Sequence, residues 1–164
     1  MGLGLTVAMV KAVIFAVTDE EVNSMDKDII ISLRGCQVFA DEDANVLELV
    51  TEGRYCKNGQ TYYITYDESE VTGMKGTTTT LKIDDGIVTI MRFGSVNSQL
   101  VFQQGQRHIS YYDTTYGAFT IGIFANEVNV DINDFGGEIK VDYQLDIDNN
   151  KSGKNDFHML YRMK

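Results

Sequence analysis

Few residues in this chain are able to do chemistry, and they do not gather in the sequence. Its 164 residues include two histidines, His108 and His158, two cysteines, Cys36 and Cys56, and no tryptophan or proline. Nucleophilic acyl transfer needs a Ser or Cys beside a His that a carboxylate orients. No serine lies in a Gly-x-Ser-x-Gly setting, and each His alternates with apolar neighbours, which suits a surface or hydrogen-bonded structural role. A zinc site needs three or four converging His, Cys or carboxylate ligands, more than this pool offers. The two thiols fall on separate predicted strands without Cys-x-x-Cys spacing, so they read as reduced thiols in or near the core.

Two loops come near a calcium pattern and miss it. Asp131-Ile132-Asn133-Asp134-Phe135-Gly136 has oxygen ligands at its first and third positions and glycine at the sixth, but Phe at the fifth. Asp148-Asn149-Asn150-Lys151-Ser152-Gly153 is closer, yet the twelfth position falls on Met159, where a bidentate Glu belongs. Gly73-Met74-Lys75-Gly76 opens a strand instead of a helix, so it makes no phosphate cradle. No metal and no cofactor are expected, and an enzyme would lack an assembled acid, base or nucleophile.

Charge excludes partners more firmly than it suggests them. Asp and Glu outnumber Lys and Arg by 24 to 14, for a net charge of −10. Binding to nucleic acid rests on neutralising phosphates, and no basic run is present to do it. The same argument disfavours an acidic membrane leaflet. The reduced thiols suit a cytoplasmic protein, and a cytoplasmic location is expected.

The elements that must position any site are strands. From Arg107 to Asp148 the chain reads as four strands in a row, punctuated at Gly105, Thr114–Gly117 and Asn133–Gly137. In the last of them Ile139, Val141, Tyr143, Leu145 and Ile147 alternate with charged or amide residues, the period of a sheet with one face in the core and one in water. Upstream, Ile29, Ile31 and Leu33 oppose Ile30, Ser32 and Arg34. Asn58-Gly59 and Asp85-Gly86 mark tight hairpins between Val46–Lys57, Gln60–Asp67, Gly76–Asp84 and Ile87–Phe93. The acidic stretch Glu68–Gly73 is a loop, Leu100–Gln103 a short strand, and Asp156–Met163 closes the series with Phe157, Met159 and Tyr161 on one face. About ten strands at roughly 8–12-residue spacing form an antiparallel up-and-down meander, which closes into a barrel to abolish its edges. A two-sheet sandwich is the alternative. Residues 1–24, apolar from Leu3 to Val17 apart from Thr6 and Lys11, form an N-terminal extension outside the fold, and residues 25–164 a single domain.

Within that scheme the candidate site residues are charges mixed into apolar faces. Arg92 shares its face with Val88 and Ile90, Glu48 and Glu52 share theirs with Val46 and Val50, and Arg107 lies with Ile109 and Tyr111. Arg92 is expected to point into the barrel and meet a carboxylate, with Glu52 the best candidate, because an unpaired guanidinium in an apolar wall would cost several kcal/mol. Arg107, Tyr112 and Tyr116 complete the candidate ligand-binding set.

The runs TYYITYDESEVTGMKGTTTTLKI, IMRFGSVNSQLVF, SYYDTTYGAFTIGIF and VNVDINDFGGEIKVDYQLDI together resemble the YwiB-like family of small bacterial proteins. The resemblance covers Asp28 to Tyr161. It implies an all-β, calycin-type barrel like those of lipocalins and fatty-acid-binding proteins, with about 8–10 strands. It implies no function, the family being one of unknown function. The family's Tyr-x-Thr-Pro-Tyr-Gly turn stands here as Tyr112-Asp113-Thr114-Thr115-Tyr116-Gly117, without the proline that would pre-set φ. The Gly-x-Trp signature of lipocalins is absent from a chain with no Trp.

Two functions fit. One is a non-enzymatic barrel that binds a small, partly apolar anion or lipid-like molecule in its interior. The other is a protein-interaction or regulatory module with a filled interior, using the Tyr-rich turn near Tyr111–Tyr116 on a partner the sequence leaves unidentified. A continuous lumen favours the first and a dry packed core the second. Because the meander closes without residues 1–24, a chain starting at Met25 should melt within a few degrees of the full chain. A fall of about ten degrees in a calorimetric scan would place the extension on the barrel.

Overall fold

The computed structural model describes residues 26–38 and 43–164, so the expected N-terminal extension lies outside the described residues. Ten strands follow in order: β1 Lys27–Val38, β2 Asn45–Asn58, β3 Thr61–Asp67, β4 Thr77–Asp84, β5 Ile87–Gly94, β6 Asn97–Phe102, β7 Arg107–Thr114, β8 Gly117–Asn133, β9 Gly136–Ile147 and β10 Asn150–Met163. Every strand pairs antiparallel with its neighbours in sequence, and β1 pairs with β10 from Ile29↔Met163 to Val38↔Lys154. The meander is therefore a closed barrel, and the sandwich alternative falls.

The expected four strands between Arg107 and Asp148 are three. No turn pair interrupts Gly117–Asn133, and Gly122 within it stays paired with Ile109 and Asp146, so the middle two run on as the 17-residue β8. Asn126 is absorbed as a bulge, since Ala125 pairs with Tyr143 and Glu127 with Asp142. The polar stretch Asp148–Gly153, expected as a loop before a last strand at Asp156, is instead a tight turn at Asp148-Asn149 followed directly by β10. Both turn residues have positive φ, 49° and 64°, as Asp85 and Gly86 do at the β4–β5 hairpin. At the β2–β3 hairpin the turn residues are Gly59 and Gln60, because Asn58 still pairs with Thr61.

The inward alternation matches the sequence on most strands. Ile29 and Ile31 of β1, Ile64 of β3, Val88 of β5, Ile139 and Val141 of β9 and Met159 of β10 are fully buried or nearly so. On β2 two alternations compete. The face carrying Leu47, Leu49, Gly53 and Tyr55 turns inward, with Tyr55 wholly buried, and the Val46–Glu48–Val50–Glu52 face turns out. Gly53 is required there, since a Cβ would lie 2.5 Å from Ile31 Cδ1 and 2.7 Å from the Thr65 carbonyl. The barrel wall is least knitted between β6 and β7, which share only Asn97↔Asp113 and Ser98↔Tyr112.

The two ends differ. At one end the β8–β9 turn reaches across the barrel, and Asp134 Oδ1 accepts a 2.8 Å hydrogen bond from the Tyr55 hydroxyl of β2. Tyr161 donates to the Asn133 carbonyl at 2.9 Å and stacks on Tyr55, with Tyr62 beside them. This cluster stoppers the barrel. Burial first of all pushes the phenols of Tyr55 and Tyr161 well above the usual tyrosine range, helped by the hydrogen bond to Asp134 at Tyr55 and by Tyr62 and then Asp134 at Tyr161. A phenol that ionises more readily unfolded than folded contributes stability in full below about pH 10 and loses it as pH rises beyond that value. Alkaline titration followed at the phenolate absorbance should therefore show the Tyr55 and Tyr161 phenols ionising only with loss of the β-sheet circular dichroism. Their ionisation while that signal persists would show the stopper to be open.

Candidate functional site

At the other end the facing walls of the barrel stand apart, and a cavity of about 530 Å³ runs down between them. Its lower wall is apolar: Leu81 of β4, Ile90 of β5 and Leu100 of β6 lie side by side in register, with Phe102, Ile123 and Met159 around them. One step nearer the mouth, the next inward row runs Tyr66, Thr79, Arg92, Ser98, Tyr112 and Phe119 across β3 to β8. Arg92 thus stands between two small hydroxyl residues with its side chain only 16% exposed.

Arg92 points inward as its face-sharing with Val88 and Ile90 predicts, but Glu52 is not its partner. Glu52 is on the outward face of β2, 70% exposed, with Lys164 Nζ at 2.7 Å. That hydrogen bond raises the Lys164 pKa. The carboxylate that meets Arg92 is Glu68, whose Oε1 lies 4.0 Å from Arg92 Nε and whose side chain is 1% exposed. Glu68 Oε1 also accepts a 2.6 Å hydrogen bond from the Thr79 hydroxyl, and its backbone N–H donates to the Thr77 carbonyl at 2.8 Å. The signal for Glu68 was present: it follows Ile64 and Tyr66 at a spacing of two, so it continues the inward face past the last residue of β3. Its position in an acidic run hid it.

The pair leaves hydrogen-bonding capacity unused. Among the described residues Glu68 Oε2, Arg92 Nε, Ser98 Oγ and Asn155 Oδ1 are buried without a hydrogen-bond partner. Glu68, Arg92 and Asn155 line the cavity. The guanidinium acts on both walls: its charge pulls down the phenol pKa values of Tyr66 and of Tyr143, while burial, the larger effect, holds both above the usual range. The Glu68 charge adds to the rise at Tyr66.

The other candidates separate. Tyr112 lines the cavity and points its hydroxyl at Met74 Sδ, 3.7 Å away. Tyr116, at the β7–β8 turn, is 95% exposed and stands clear of the lumen. Arg107 is on the outer face, where its Nη2 lies 2.9 Å from both carboxylate oxygens of Asp146. That bridge crosses β8 over Gly122, where a Cβ would strike both partners at 2.5 Å. His108 meets Gln103 Oε1 at 3.0 Å, and His158 meets Glu138 Oε1 at 2.6 Å on the outside. Cys36 pairs with Val46 and Cys56 with Tyr63 along opposite reaches of β2, and both thiols are free. The Asp131–Gly136 turn is capped by Asn133 Oδ1, which accepts from the N–H groups of Phe135 and Gly136.

These features define a ten-stranded antiparallel barrel, stoppered at one end and hollow at the other, with a buried ion pair in the hollow. The chain belongs to the family described as Domain of unknown function (DUF1934), whose model matches residues 31–159. It is similar to the uncharacterized beta-barrel protein YwiB of Bacillus subtilis (strain 168), at 26% identity over 125 residues, 75% of this chain and 86% of that protein. The crystal structure of the ywiB protein from Bacillus subtilis has the same fold, with a TM-score of 0.75 at 20% identity over 86% of this chain and 94% of that one.

Proposed function

We propose that this protein is a non-enzymatic, calycin-like binding barrel of the cytoplasm that takes a small, partly apolar anion into its lumen, with the anionic group on Arg92. The observation that carries the reading is a cavity of about 530 Å³ that is apolar below and holds one buried guanidinium at its upper level. That volume falls in the range of small-molecule sites, roughly 300–1,000 Å³. Arg92 suits an anion because its planar fork holds a carboxylate through two hydrogen bonds and stays charged at any working pH. Glu68, reaching Arg92 at 4.0 Å without a hydrogen bond from Nε, holds the place loosely.

The interaction-module reading keeps one observation in its favour. Ile109, Tyr111 and Tyr116 are 62%, 69% and 95% exposed on β7 and its turn. A lumen of this size favours the binder.

Octanoate titrated by calorimetry should bind the full chain with a stoichiometry of one. Arg92→Met alone would leave Glu68 buried and unpaired at a cost of several kcal/mol, so the informative variant pairs Arg92→Met with Glu68→Gln. It should stay folded and lose at least about tenfold in octanoate affinity, or 1.4 kcal/mol. Glu68→Gln alone should tighten octanoate by removing the competing carboxylate. Unchanged affinity in the double variant would sink the assignment to Arg92.

A further inference from the structure

If the lumen binds an anion as proposed, its unused hydrogen-bonding atoms constrain the head group more closely than charge alone. Two of them, Glu68 Oε2 and Asn155 Oδ1, are acceptors, and Arg92 Nε is a donor. Buried polar atoms are nearly always paired, and an unpaired one loses its hydration without return. An ionised carboxylate offers acceptors only. A simple fatty acid would satisfy Arg92 Nε and leave both lumen acceptors without a donor.

Charge leads to the same place. Arg92 and Glu68 together are neutral, and Glu68 is only 1% exposed. A lone ligand carboxylate on Arg92 would set two carboxylates about one guanidinium inside a mostly apolar wall. Like charges so placed disfavour each other's ionised form. A ligand that carries an ammonium next to its carboxylate keeps the cluster neutral. Its N–H donors are then available to Glu68 Oε2, while the carboxylate accepts from Arg92. The floor of Leu81, Ile90 and Leu100 receives an aliphatic or aromatic side chain. We infer that the lumen is built for an α-amino carboxylate with a long apolar side chain, held by Arg92 at its carboxylate and by Glu68 at its ammonium. The inference rests on the lumen-binding function proposed for this barrel.

The test uses three probes of equal chain length, octanoate, α-aminooctanoate and octylamine, titrated calorimetrically into the full chain at neutral pH. α-Aminooctanoate should bind at least about tenfold tighter than either of the others. In Glu68→Gln, which keeps the side-chain shape, that preference over octanoate should collapse to within about threefold or invert. The wild-type comparison stands even if the variant does not fold. Octanoate binding as tightly as α-aminooctanoate overturns this inference and leaves the lumen reading intact. Octylamine equalling α-aminooctanoate overturns it together with the role of Arg92. A preference that survives Glu68→Gln unchanged removes Glu68 as the ammonium's partner and overturns it as well. No binding of any probe at millimolar concentration overturns both readings.

Discussion

The pairing of the first strand with the last is the constraint on which the rest of this molecule depends. Ten residue pairs between β1 and β10 join the two ends of the meander. Without them the sheet would carry two long edges with unpaired N–H and C=O groups, open to association with other chains. With them, each strand has two fixed neighbours, and the inward or outward sense of every side chain follows from the register. Because the side-chain period is two, a slip of one residue would exchange the faces of a strand completely. On β5 such a slip would place Arg92 in water and Thr89, Met91 and Phe93 in the lumen. The site is thus a property of the closure and not of any local motif.

Closure also sets what the interior has to solve. A barrel of eight strands is just filled by its side chains, and further strands widen it. Here the two halves are treated differently. Tyr55, Tyr62 and Tyr161 fill the stoppered end with large rings, and the β8–β9 turn supplies the acceptors that the buried Tyr55 and Tyr161 hydroxyls need. The other half is lined by Leu, Ile and Phe side chains that leave the centre unfilled, and its polar atoms are only partly paired. The same sheet therefore gives a rigid base and a chamber.

Much of this was legible in the sequence, and what was not has local causes. Alternation identified the inward face of β1, β9 and β10 because one parity there is clearly more apolar, whereas β5 carries Val88 and Ile90 on its inward parity and Ile87, Met91 and Phe93 on the other. β2 offers Val46 and Val50 on one parity and Leu47, Leu49 and Tyr55 on the other, so alternation alone does not choose. The choice is made by long-range packing at Gly53 and Tyr55, and Glu52 goes outward with its parity. The bulge at Asn126 was invisible because it takes no glycine, and the register shift belongs to pairing with β9. Glu68 obeyed the period of β3 but lay in a run of acidic residues that reads as solvated loop. Arg107 illustrates the opposite case: an arginine on a partly apolar face, Ile109 and Tyr111, that is simply an outer face.

The Arg92–Glu68 pair is hard to explain by stability. Desolvating two charges costs several kcal/mol each, and a buried pair recovers that only with close geometry and full hydrogen bonding. At 4.0 Å, with one oxygen and the guanidinium Nε unpaired, this pair has neither. Two apolar residues of similar volume would serve the fold as well or better, as replacements of buried ion pairs generally do. Their row already shows how that would look, since Tyr112 and Phe119 continue it on the far side with large, mostly apolar rings. Departures from local consistency are expected where a molecule is shaped for something other than its own stability. The cavity-lining residues that hold unpaired atoms, Glu68, Arg92 and Asn155, come from just past the end of β3, from β5 and from β10, on different parts of the wall. A defect of packing would have no reason to collect donors and acceptors from three separate segments around one cavity. A chamber that receives a polar head, as proposed for this lumen, would.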